Sequence, residues 1–163
     1  MSGALHRWYG LPDLDRFAER ETGLGGDLEI KQMSRLRDML HSDGGQVHAD
    51  LWFGRGGQGW LHMGLQYRAT LRLVCQRCLE PVDIELANRI ELGLVEDTAI
   101  ALPAHLEPVL LERGRLQPAQ LLEDELIVAL PLVPKHRTLE ECGSLAQRLI
   151  GNRVGRTAAR DGR

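Results

Sequence analysis

Long apolar runs are absent. None approaches the roughly 20 residues that a membrane span needs, so no membrane is expected among the partners. Aromatic residues are sparse, 4% against 43% hydrophobic overall, which leaves any core largely aliphatic. Cysteine occurs three times. An odd number without framework spacing argues against a disulfide scaffold and for the reducing cytoplasm. Met1 to Gly10 have no apolar core and do not read as a secretory signal. A surplus of positive charge is missing too. The formal net charge is −3, whereas a protein that grips nucleic acid through one large basic face usually carries excess cations. No Ser/His/Asp order, HExxH, EF-hand loop or GxGxxG occurs, and no convincing pair of catalytic groups either. A catalyst with a small-molecule substrate is therefore not expected. The 163 residues suit one domain with a modest core.

What is present centres on Leu71 to Leu86. Leu61, Met63, Leu65, Tyr67, Ala69, Leu71 and Leu73 alternate with polar residues and Gly64. That period of two marks a strand with one buried face. Val82, Ile84 and Leu86 alternate with Asp83 and Glu85, and the pattern resumes at Ile90, Leu92 and Leu94. Two long strands thus flank Cys75-Gln76-Arg77-Cys78-Leu79-Glu80-Pro81, and Pro81 suits a corner. The reading is a long β-hairpin bent at a CxxC. Such a pair can grip a metal with two further ligands, form a redox couple before a helix, or simply sit at a tight turn. No helix follows, which weakens the redox reading. The metal reading needs partners, and His136 and Cys142 are the best placed. One CxxC with a distant Cys is a weaker signal than two paired CxxC motifs, and the purely structural turn is favoured.

The remaining chain reads as α+β: an antiparallel sheet containing this hairpin, packed with a few short helices, in one domain over residues 1–150. Leu11 to Ala18 follow helical spacing, ended by Gly23, Gly25 and Gly26. Trp8-Tyr9 is read as cover for the core. Ile30, Met33, Leu36 and Leu40 predict a helix over 30–41. Val47 to Phe53 predict a strand. Gly54 to Gly59 lack Gly-Lys-Ser/Thr and a following helix, so they form a hairpin turn and not a phosphate loop. Pro108 to Leu111 suggest a short edge strand. Pro118 opens the strongest helix signal, which Pro131 and Pro134 stop. Glu123, Asp124 and Glu125 are consecutive, cannot converge on one ion, and are assigned to the helix dipole and solvent. A last short helix is expected over 139–150. Residues 151–163 read as a disordered, Arg-rich tail.

Two segments together, Leu73 to Pro81 and Leu121 to His136 (LLEDELIVALPLVPKH), resemble the large ribosomal RNA subunit accumulation protein family, the YceD type. The resemblance covers about residues 28–142. It implies a bacterial, cytoplasmic, non-catalytic ribosome-biogenesis factor needed for synthesis, processing or stability of large-subunit (23S) ribosomal RNA. Some members carry further cysteines after the Pro-rich segment in a metal-binding pattern. Here only Cys142 stands there, so a four-cysteine site is not available. On this reading the partner is large-subunit ribosomal RNA or a ribosomal protein. The RNA-binding candidates are Arg35, Arg37, Arg55, Arg68, Arg72 and Arg77, together with the arginines from Arg148 to Arg163. The alternative is a protein-only adaptor that binds a basic ribosomal protein through its acidic helix. The metal candidates are Cys75, Cys78, His136 and Cys142, holding a structural zinc if any cofactor is present.

Overall fold

A computed structural model of the chain describes residues 2–57, 59–97, 100–143 and 147. A 3-10 turn at Ser2–Ala4 leads to β1 (Tyr9–Gly10) and α1 (Leu11–Glu19). Gly10 N–H donates to Asp13 Oδ2 (3.3 Å) and Pro12 lies in the first turn, so the helix starts where its orphan amides are answered. The Trp8-Tyr9 pair divides. Tyr9 is buried edge-on against Phe17, with ring centroids 5.2 Å apart, while Trp8 is exposed under Arg115.

The glycines read as the end of the first helix belong instead to β2 (Gly23–Glu29). Side-chain patterning could not reveal this strand, because three of its seven residues are glycines, one of which runs against the backbone of β3 (Gln46–Arg55): a Cβ on Gly23 would sit 3.0 Å from Leu51 O. A Cβ on Gly25 would sit 2.5 Å from Asp50 Oδ1. The helix expected over 30–41 is broken into a 3-10 turn, Ile30–Gln32, and α2 (Ser34–Arg37). Its apolar stripe is nevertheless buried at Ile30, Met33 and Leu36. The break has a physical cause: the amides of Arg35 and Leu36, which a continuous helix would bond to Lys31 O and Gln32 O, donate instead to the Glu123 carboxylate (2.8 and 3.1 Å), and beyond Arg37 the bond from His41 N–H to Arg72 O (2.8 Å) draws the chain onto the sheet.

β3 pairs antiparallel with β4 (Leu61–Val74), and β4 with β5 (Pro81–Val95), as the alternation requires. β6 (Glu107–Leu110) joins β5 in parallel, and β7 (Arg115–Leu116) pairs with β1 in a separate ribbon. The five-stranded order is β2-β3-β4-β5-β6. α3 (Pro118–Ala129) follows. One face of the sheet is packed: Met63, Leu65 and Leu71 meet a layer that includes Leu14, Leu36, Leu122 and Leu126, all essentially inaccessible. Each such side chain contributes about 1.5–3 kcal/mol relative to exposure. The opposite face of β4 presents Gln66, Arg68, Thr70 and Arg72 to solvent. From Leu139 to Gly143 the chain runs in turns; the rest of the helix expected over 139–150 lies mostly, and the tail at 151–163 wholly, outside the described residues.

Candidate metal centre

The bend between β4 and β5 is a knuckle. Cys75 N–H donates to Glu80 O (2.9 Å) and Leu79 N–H to Cys75 O (2.8 Å). Leu79 reverses the chain at φ +65°, a left-handed conformation rare without glycine, and its side chain is 75% exposed. The chain after α3 returns to this knuckle. Pro134 O accepts from Gln76 N–H at 2.8 Å, which delivers His136 next to the two thiols. The turn at Leu139–Cys142, closed by Cys142 N–H to Leu139 O (3.1 Å), swings the third thiol inward.

The donor atoms of Cys75, Cys78, His136 and Cys142 all lie within 4.8 Å of one another. His136 Nδ1 is 3.5 Å from Cys78 Sγ and 3.6 Å from Cys142 Sγ. A tetrahedral ion with bonds of about 2.3 Å to sulfur and about 2.0–2.1 Å to nitrogen sets an S···N edge of about 3.6 Å. These two edges match such an ion, and with all four donor atoms gathered within 4.8 Å the cluster can bind a metal. Its electrostatics agree. Burial pushes the Cys75 thiol up, but N–H groups of His136, Arg77 and Cys78, and the Cys78 thiol, outweigh this and bring it down to about 6. Cys142 moves the other way, to about 11, through burial and then the neighbouring sulfurs. Crowded sulfurs with amides aimed at one of them favour a cation in their midst.

The four donors fall inside a stretch with known relatives. The sequence pattern of the large ribosomal RNA subunit accumulation protein YceD family matches residues 63–153. The chain belongs to the YceD family. A relative from Haemophilus influenzae, the large ribosomal RNA subunit accumulation protein YceD, is 32% identical over 136 residues, covering 82% of this chain and 78% of the relative. No solved structure matches. No helix among the described residues is long and apolar enough to cross a membrane.

In this YceD-family chain the six candidate arginines do not share one surface. Arg35 and Arg37 belong to α2 on the packed side, whereas Arg68 and Arg72 stand on the open face of β4 and Arg77 lies in the knuckle. Several are engaged by carboxylates. Arg72 forms a fork with Asp83 (2.7 and 2.9 Å), Arg55 meets Asp15 (2.6 Å), and Arg37 meets Asp38 (3.1 Å). Arg68 is exposed and has no ion pair among the described residues. Arg35 donates to Glu123 (3.0 Å) and Asp124 (2.5 Å).

That last contact corrects the assignment of the acidic triplet to solvent. Glu123 is 8% exposed, and its Oε1 accepts from the backbone N–H of Arg35 (2.8 Å) and Leu36 (3.1 Å). A carboxylate on α3 thus caps α2 from across the core. The signal was present in the sequence: Ala119, Glu123 and Leu126 stand at i, i+4 and i+7, the spacing of a buried stripe.

Proposed function

We propose that this chain is a non-catalytic cytoplasmic factor that supports synthesis, processing or stability of large-subunit (23S) ribosomal RNA. We propose also that a structural zinc on Cys75, Cys78, His136 and Cys142 fixes one end of its fold. The observation that carries the first reading is the family match over residues 63–153, which takes in β4 from Met63 on, β5, α3 and all four donors. The donor set carries the second. Three thiolates and one imidazole fill a tetrahedral ion and leave no open position for a substrate, which is the pattern of a structural site. Bound there, zinc would tie the β4–β5 bend to the segment after α3.

The carboxylates of α3 support a non-catalytic role. Glu123 and Asp124 are taken up by Arg35, and Glu125 points elsewhere. RNA contact through Arg68 and the arginines at 148, 153, 156, 160 and 163 would be largely electrostatic and blind to sequence. Depleting the protein and measuring large- against small-subunit ribosomal RNA tests the function. A fall in the ratio is expected, and an unchanged ratio overturns the reading. Ultraviolet cross-linking in the same cells then separates direct RNA contact from action through a protein.

The adaptor reading has one specific support, the neutralisation of Arg35, Arg37, Arg55 and Arg72 within the chain. Its chosen surface, the acidic helix, has little acid to spare: of the triplet only Glu125 is left unpaired among the described residues.

A further inference from the structure

The three thiols of the centre are not equivalent. Cys75 and Cys142 are 0% and 2% exposed, whereas Cys78 is only partly buried. A cleft of about 790 Å³ opens at the same place, lined by His136, its neighbours Lys135 and Arg137, and the start of β5 at Pro81 and Val82. Small solutes therefore meet the donor set at His136 and Cys78 before they meet the two buried sulfurs.

The sulfurs also differ in what holds them. Cys75 and Cys78 stand three residues apart in one knuckle, closed by Cys75 N–H to Glu80 O (2.9 Å) and Leu79 N–H to Cys75 O (2.8 Å). These bonds are local, so the two sulfurs stay neighbours whether or not the rest of the centre is in place. Cys142 arrives on the segment after α3. Within the described backbone, that segment is tied to the knuckle by the bond from Gln76 N–H to Pro134 O (2.8 Å). Donor count sets the consequence. A closed structural zinc takes four ligands, and the cluster comprises four. Joining Cys75 to Cys78 removes both as donors. His136 and Cys142 then remain, both on the segment after α3.

We propose that the centre is a reversible thiol switch: a peroxide joins Cys75 to Cys78, the metal leaves, and residues 134–142 are released from the knuckle. Its reduced state rests on the structural zinc proposed above. Cys78 Sγ, the accessible sulfur, attacks one peroxide oxygen. The O–O bond breaks, leaving a sulfenic acid on Cys78 and a hydroxide. Cys75 Sγ then attacks the Cys78 sulfur; the S–S bond forms and the S–O bond breaks, releasing a second hydroxide. Two thiolates lose two electrons, the peroxide gains them, and two protons from solvent turn both hydroxides into water. Cys75 outcompetes Cys142 as the resolving thiol because its proximity is built into the knuckle, while that of Cys142 depends on the contacts being lost. Cys142 is left as a free thiol, and a dithiol reductant restores the pair.

The full chain, purified without chelator, is treated with hydrogen peroxide at stepped concentrations. Zinc released to a chromophoric indicator, the disulfide assigned by mass spectrometry after alkylation, and hydrogen exchange are read together. Zinc loss should rise in step with a Cys75–Cys78 disulfide, with Cys142 alkylated. Exchange should quicken at Gln76 and over residues 134–142, while the amides of Cys75 and Leu79 stay slow. Chelation, which loosens both sides, does not give that pattern. Dithiothreitol with added zinc should reverse all three changes. A Cys78–Cys142 disulfide, a sulfinic acid in place of a disulfide, or zinc retained after a peroxide dose that fully oxidises free cysteine would overturn the switch and leave the zinc reading standing. Protein that carries no zinc beforehand, yet forms the same disulfide and frees the same segment, would overturn the zinc reading and support the thiol switch.

Discussion

Arg35 and Leu36 open α2 with backbone amides that its single turn cannot satisfy, and Glu123 takes both while its second oxygen holds the Arg35 guanidinium. Removing this side chain strands two donors and leaves the Arg35 guanidinium with Asp124 alone. Glu123→Ala should cost about 2–3 kcal/mol, read as a fall in Tm of roughly 5–10 °C for a domain of this size. Glu123→Gln, which keeps an acceptor, should lose less than half of that; equal losses would show that the hydrogen bonds are idle. Glu125 behaves differently. A carboxyl whose folded pKa is raised contributes most below its unfolded pKa and loses that contribution as pH rises through the folded value. Glu125→Gln should therefore be more stable than the parent at pH 7, with the difference vanishing below about pH 4. Parallel denaturation across pH checks this, and a gap that stays constant would refute it. The sequence placed both residues on α3 but assigned them to solvent. Only the neighbour across the core distinguishes a capping carboxylate from a solvated one.

At the scale of elements, the knuckle and the segment after α3 are joined within the described backbone by the Gln76–Pro134 hydrogen bond, and the metal would be their main staple. Protein purified without chelator should carry about one zinc per chain, and Cys142→Ser should carry close to none. Chelation should speed hydrogen exchange in residues 75–80 and 134–142 and leave the amides of β3 and the adjoining part of β4 slow, because Val47, Met63 and Leu65 are packed independently of the knuckle. Uniform loss of protection would mean that the metal holds the whole fold. Cys75 and Cys78 announce themselves by spacing. His136 and Cys142 could be named as candidates, but two donors more than fifty residues away along the chain (58 between Cys78 and His136) carry no local pattern.

At the scale of the whole molecule, a net charge of −3 coexists with five arginines between Arg148 and Arg163. If these carry the RNA contact, the salt dependence should reveal it. Replacing all five by glutamine should flatten the slope of log affinity against log salt by about 3.5 for single-stranded RNA. Arg68→Glu should change the slope by less than one unit, and replacing Arg72 and Asp83 together by glutamine and asparagine should add nothing, since the pair is already neutral. A large effect from Arg72 would move the contact onto the open face of β4.

By itself the sequence determined the strands of the central hairpin, the start and stop of α3 and the apolar stripe at Ile30, Met33 and Leu36. Period, proline placement and turn residues are local rules, and local rules are written in neighbouring residues. The tertiary structure alone decided that the glycines at 23–26 form a strand and that the stripe at 30–41 breaks. It also brought four donors to one point, buried Glu123 and joined β6 in parallel. Each of those depends on which distant backbone or side chain arrives alongside, and a chain read in order does not state its neighbours in space.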